Sequence, residues 1–317
     1  MMCSLFGLID YQNTLTTRQK NRILQVLAKE CEVRGTDATG IAYNFGGSIK
    51  VFKRPLAAHK LKFRVPNGVR VVMGHTRLAT QGRPADNFNN HPWSTGTFAL
   101  AHNGVLWNDR ELRQTENLPD THIQTDSYVA VQLLEQQKAL DFTTISAMAE
   151  KIQGSFVFTV LDRDDNLYFV RGDNPLAIFD FGGFYLYAST EEILRRAMCK
   201  LRLHHQEEIH TEEGDILKID RAGQRSFAHF NPNHSFEHFW RNPRFRMLSW
   251  FFDEVDEPEA IDGQTDLLIQ TAKSMGVSED EVLALLDLGY DPCEIEELLY
   301  NPTLLHEAAA ELLCAYY

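Results

Sequence analysis

The segment Gly74-His-Thr-Arg-Leu-Ala-Thr-Gln-Gly82 (GHTRLATQG) decides how this chain is read. It follows Val69-Arg-Val-Val-Met73, a short apolar run that reads as a buried strand spanning 69–76. His75, Thr76, Arg77 and Thr80 therefore fall at or beyond a strand end, where sites are often built. The planar guanidinium of Arg77 can clamp a carboxylate in two-pronged fashion; taken alone, the same residue reads first as an exposed surface arginine.

Four other stretches carry signals of the same kind. A strand over 97–106 closes on His102-Asn103-Gly104. There the Asn103 side-chain amide and the Gly104 N–H can face a developing oxyanion, or Asn-Gly can be a plain tight turn. Gln124-Thr125-Asp126 precedes an amphipathic helix predicted over 124–138, so Asp126 is either a capping acid or a carboxylate for an ammonium group. Arg34-Gly-Thr-Asp-Ala-Thr-Gly-Ile-Ala42 is a small-residue run entering a strand, with Gly35 and Gly40 suited to close packing. Cys3 is either a buried strand residue or, with a free α-amine of pKa ~7.7–8.0 beside it, a thiol with its own general base.

Around these motifs the periodicity predicts strands at 3–10, 155–162, 166–171, 175–180, 183–188, 206–211 and 215–220, and a hairpin at 40–53 turning at Gly46-Gly47. Helices are predicted at 17–33, 142–153 and 189–198, the last capped at Ser189-Thr190. Strands in runs and helices in pairs exclude a regular strand–helix alternation and indicate an α+β layered fold.

In order and spacing the motifs resemble the class II glutamine amidotransferases, the N-terminal-nucleophile (Ntn) glutaminases. The resemblance runs from Met2-Cys3-Ser4-Leu5-Phe6-Gly7 through residues 34–42, GHTRLATQG, NFNNHP at 87–92, His102-Asn103-Gly104 and Thr125-Asp126 to Gly154-Ser-Phe and Arg171-Gly-Asp-Asn-Pro-Leu. It spans about residues 2–220. It implies a four-layer α/β/β/α Ntn-hydrolase sandwich over 1–227. It also implies L-glutamine as substrate, hydrolysed through a γ-glutamyl thioester on Cys3, with Asn103 and Gly104 as the oxyanion hole. Arg77 would hold the α-carboxylate and Asp126 the α-ammonium, with Thr80 and His91 lining that pocket. The Cys3 amine becomes free only when Met1 and Met2 are both removed. Leu78 stands where the sugar-phosphate synthases have a channel-gating Trp, and Ser4 replaces the usual Gly. No cofactor or metal is implied. Two other readings stay open: an Ntn amidase for another small amide, and a non-catalytic binding module retaining the fold.

Composition sets the outer limits. The chain has 317 residues and a net charge of −13, which disfavours nucleic-acid binding. No stretch approaches the ~18 apolar residues of a membrane span, and the N-terminal residues lack the pattern of a secretory leader, so a cytoplasmic location is expected. The five cysteines, at 3, 31, 199, 293 and 314, form no close pair. Residues 253–317 carry 17 acids against Lys273 alone, a balance of −16, whereas the remainder carries 27 acids and 30 bases, or +3. That shift indicates a second module: a connecting arm and acidic linker over 228–263, then a small acidic helical domain over 264–317. Ser278 and Glu281 have capping-box spacing there. His229, His234 and His238 lack a metal-binding spacing. With no phosphate loop or Rossmann fingerprint outside the glutaminase-like part, either a separate acceptor protein receives the ammonia or the chain is a stand-alone amidohydrolase.

Overall fold

The computed structural model describes residues 3–137 and 139–233, together with isolated positions between 269 and 305. Two compact units emerge, Met1–Phe239 and Trp240–Tyr317. The first is built on two antiparallel sheets. One contains β1 (Ser4–Ile9), β2 (Ala38–Phe45), β3 (Ser48–Arg54), β4 (Val71–Arg77), β9 (Ala177–Asp180), β10 (Tyr185–Ala188) and β11 (Glu207–Ile209), in the order β11-β9-β10-β1-β4-β2-β3. The other contains β5 (Trp93–Ser94), β6 (Phe98–Leu106), β7 (Gly154–Asp162), β8 (Leu167–Arg171), β12 (Asp215–Ile219) and β13 (Arg225–His229), in the order β13-β12-β8-β7-β6-β5.

Period-2 alternation makes these sheets into four layers. On β1, Phe6 and Leu8 pack against helices α1 (Thr17–Glu30) and α5 (Glu191–Leu201), whereas Leu5 and Ile9 face the second sheet. On β7, Val157 and Leu161 face the first sheet, and Phe156, Phe158 and Val160 pack under α3 (Tyr128–Glu135) and α4 (Phe142–Lys151). The short α2 (Asp109–Thr115) adds Leu112 to that outer layer. The order is thus α/β/β/α, as expected. Because both faces of the central strands are covered, β1, β4 and β7 are buried along nearly their whole length even though they pair antiparallel.

Local chemistry agrees with the element ends. Thr16 and Gln19 form a full capping box on α1, and the Thr190 hydroxyl accepts from the Ile193 N–H on α5. Ser189, expected in that cap, instead accepts the Leu5 N–H at 2.8 Å and ties α5's approach to β1. The helix expected over 124–138 begins only at Tyr128; Asp126, ahead of it, accepts the N–H of Leu106 at the end of β6. In the second unit, Ile269, Ala272, Val282, Leu285, Ile295 and Leu299 share an apolar cluster. The Ser278 hydroxyl accepts the Glu281 N–H at 3.3 Å while the Glu281 carboxylate accepts the Ser278 N–H at 2.9 Å, the expected capping box. His234, His238 and the rest of the arm over 234–263 lie outside the described residues.

Candidate active site

Strand alternation brings the motif residues to one end of the gap between the sheets. Leu5 and Ile9 look into the gap, and Cys3 continues their side. Val71 and Met73 do likewise on β4, followed by His75 and Arg77; on β6, Ala99 and Ala101 are followed by Asn103. β1 pairs with β4 in a register of Leu5 to His75 and Ser4 to Thr76, so Cys3 arrives beside Arg77.

The Cys3 thiol donates to the Leu78 carbonyl at 3.3 Å and accepts the Leu78 N–H at 3.4 Å. Burial raises its pKa to about 11, against the opposing pull of the Leu78 hydrogen bond and the Arg77 cation. The resting group is therefore a thiol. Arg77 is 2% exposed, not a surface arginine. It donates from Nη1 to Asn90 Oδ1 at 2.8 Å and from Nη2 to the carbonyls of Gln81 and Gly82. Three of a guanidinium's five donors are thus engaged, leaving two for a ligand. The charges of Arg77 and Asp126 both act on Cys3, so the three lie within one electrostatic neighbourhood.

Asp126 is 3% exposed and does not cap the helix that follows it. Its Oδ2 accepts the Leu106 N–H of β6 at 2.6 Å, and its Oδ1 accepts the Ser127 hydroxyl at 3.1 Å. Asn103 and Gly104 sit within β6, opposite Val157 and Phe156 of β7, not in a turn. Both polar atoms of the fully buried Asn103 side chain lack a protein partner. A buried amide in that state costs about 1–3 kcal/mol, so the position suits a ligand. Gly104 has φ +142°, and a Cβ there would lie 1.8 Å from the Ser155 carbonyl oxygen. The Asn174 side chain fixes the adjoining peptide by donating to the Asn103 carbonyl at 3.1 Å.

Two expected residues stand apart. Thr80 is exposed on the loop after β4. His91 is buried against His75 and Trp93, with ring centroids 4.2 and 4.0 Å away, and neither ring nitrogen has a protein partner. Burial, the largest cause, lowers the pKa of His75, His91 and His102; His75 and His91 are held well below 6.5. Among the described residues, no cluster of three or more His, Cys, Asp and Glu side chains is arranged to hold a metal ion.

Sequence reasoning gave no role to Arg34 or Asp37. Arg34 Nε donates to the Cys3 carbonyl at 3.0 Å. Asp37 accepts the Ala79 N–H at 2.8 Å and returns its own N–H to the Arg77 carbonyl at 2.9 Å. Gly35 permits this clamp, since a Cβ would lie 2.5 Å from the Arg77 carbonyl carbon. The small-residue run at 34–42 was the available signal.

Residues 75–196 match a family model described as a glutamine amidotransferase domain. The chain is 32% identical over 231 residues to the glutamine–fructose-6-phosphate aminotransferase (isomerizing) of Staphylococcus epidermidis, covering 69% of this chain and 36% of that protein. It is 34% identical over 215 residues to the Geobacillus kaustophilus enzyme of the same name, covering 65% and 34%. This chain carries a class II glutamine amidotransferase domain. The chain spans about a third of the length of these curated relatives. Its fold resembles the glutamine phosphoribosylpyrophosphate amidotransferase of B. subtilis, with a TM-score of 0.56 and 21% identity over 73% of this chain and 50% of that one. It also resembles a structure described as the allosteric regulatory enzyme of purine biosynthesis, with a TM-score of 0.57, 21% identity and coverage of 73% and 49%. At those identities the likeness concerns the amidotransferase fold alone.

Proposed function

We propose that this protein hydrolyses L-glutamine to glutamate and ammonia. The observation that carries the reading is a half-buried thiol within the fields of a buried cation and a buried carboxylate, Arg77 and Asp126. A cation and a carboxylate that both act on one nucleophile can select an amino acid by its zwitterionic end and leave its side-chain amide at the thiol. Once Met1 and Met2 are removed, the α-amine of Cys3 takes the thiol proton as sulfur attacks the γ-carboxamide carbon. The Asn103 Nδ2 and the Gly104 N–H stabilise the oxyanion that forms, which favours the transition state over the bound ground state. Collapse of the intermediate breaks the C–N bond, and the ammonium at Cys3 returns its proton to the departing ammonia. Water then cleaves the γ-glutamyl thioester, releasing glutamate and restoring the thiol.

His91 would contribute to the wall of this pocket, and Thr80 would reach the carboxylate end through its loop. The ammonia passes to an acceptor protein or domain, a reading supported by the amino-transferring names of the curated relatives. No helix of the described residues is long and apolar enough to cross a membrane, which is compatible with work in the cytoplasm.

The test is intact mass before and after 6-diazo-5-oxo-norleucine, combined with an ammonia-release assay. A chain starting at Cys3, a single adduct on that residue, and loss of ammonia release in Cys3→Ala are the expected results. A chain that keeps both methionines and gains no adduct would sink the terminal-amine mechanism.

A further inference from the structure

Ser127 occupies the N-cap position of α3, yet its hydroxyl makes no capping bond. It is directed sideways instead, to Asp126 Oδ1 at 3.1 Å and His102 Nδ1 at 2.6 Å. The directions of these bonds follow from proton counting. An ionised carboxylate only accepts, so the single hydroxyl proton of Ser127 goes to Asp126. With that proton directed to Asp126, the imidazole donates from Nδ1 to Ser127 Oγ, the Nδ1–H tautomer, in competition with the Ser155 carbonyl that also hydrogen-bonds this ring. His102 is itself held on three sides. Its ring stacks on Phe158 with centroids 4.8 Å apart, its backbone belongs to β6, and its carbonyl lies 2.9 Å from His75 Nε2. A carbonyl only accepts, so His75 is protonated at Nε2.

We propose that Ser127 and His102 are positioning residues for recognition of the substrate ammonium: the chain His102 Nδ1–H to Ser127 Oγ–H to Asp126 Oδ1 aims the Asp126 carboxylate at the amino group of glutamine. The Leu106 N–H grips the other carboxylate oxygen, so neither oxygen is free to rotate away. All the groups involved are buried, where a misdirected carboxylate is not corrected by water. The arrangement also joins the two ends of the site, because His102 directly precedes Asn103 on one strand. This inference rests on the glutaminase reading above.

The test is steady-state kinetics on the full chain with L-glutamine and with glutaramate, which has the same amide and carboxylate but no α-amino group. Ser127→Ala should raise KM for glutamine roughly tenfold, the scale of one lost hydrogen bond to a charged group. It should leave kcat within about twofold and the glutaramate KM unchanged. Ser127→Thr, which keeps the hydroxyl, should restore most of the glutamine affinity. Equal losses on both substrates, or none on either, would overturn the positioning role. A wild-type enzyme that hydrolyses both amides with equal KM would place the failure in the glutaminase reading and remove the positioning role with it. Long-range 15N–1H spectra of the His102 ring supply a readout independent of activity. The Nδ1–H tautomer is expected, and the Nε2–H tautomer would refute the chain.

Discussion

Cys3 keeps its proton: the thiol donates to Leu78, and burial holds its pKa near 11. A nucleophile in that state depends on a nearby base, and the α-amine is the group whose ~7.7–8.0 pKa suits the task. kcat/KM should therefore climb as pH rises through that range and flatten above it, as a pH–rate profile with glutamine would reveal. A profile governed by a group near pH 6 would point to a different base. Asn103→Ala should lower kcat about 10²–10³-fold, the usual effect of losing one oxyanion donor, with KM little changed. The residues of this site were legible to different degrees. Cys3, Arg77, Asn103 and Asp126 stood out because each sits in a motif of unusual composition. Ser127 and His102 could not be given their roles, because a hydroxyl that caps a helix and one that orients a carboxylate have the same sequence context. Thr80 illustrates the reverse, with a clear motif position but an exposed side chain.

Elements were read more securely than their ends. The apolar runs of β1, β4, β6 and β7 are strong signals, since both faces of each strand are covered. β5, with two residues, and β13, whose first three residues are exposed, offer too little pattern to find. The start of α3 was misplaced because Gln124 to Ser127 has the composition of a helix entry while its polar groups bond elsewhere. Gly104 sets a limit on β6, where a Cβ would overlap the Ser155 carbonyl. Gly104→Ala should force β6 and β7 apart, seen as loss of both ammonia release and hydrogen-exchange protection in β7. On α1, Lys20 is anchored to Asp10 at 2.8 Å and to the Val69 carbonyl at 2.6 Å, with both charged side chains buried. Lys20→Ala leaves the Asp10 carboxylate without its cation, and a loss of about 3–5 kcal/mol is expected from urea unfolding.

At the scale of the whole molecule, three buried imidazoles form a shared acid liability. His75, His91 and His102 are kept neutral in the fold, His102 with a pKa of about 4. Unfolding lets each recover an ordinary pKa of about 6.5 and bind a proton. The unfolded state therefore gains protons below that value, and stability falls as pH drops from about 6.5 toward 4. Each histidine steepens the slope by up to ~1.4 kcal/mol per pH unit. Urea midpoints measured across that window should decline, and His91→Phe should flatten the decline. A midpoint that is constant from pH 7 to pH 4.5 would contradict the buried neutral state. The alternation that built the layers has a further result. On β6, His102 faces the outer helices while its neighbour Asn103 faces the gap, so the strand works as a ruler with a one-residue graduation. Removing or inserting one residue between Phe98 and His102 would exchange the two and send the oxyanion amide into the helical layer. The strands beneath the site can vary in composition but not in residue count.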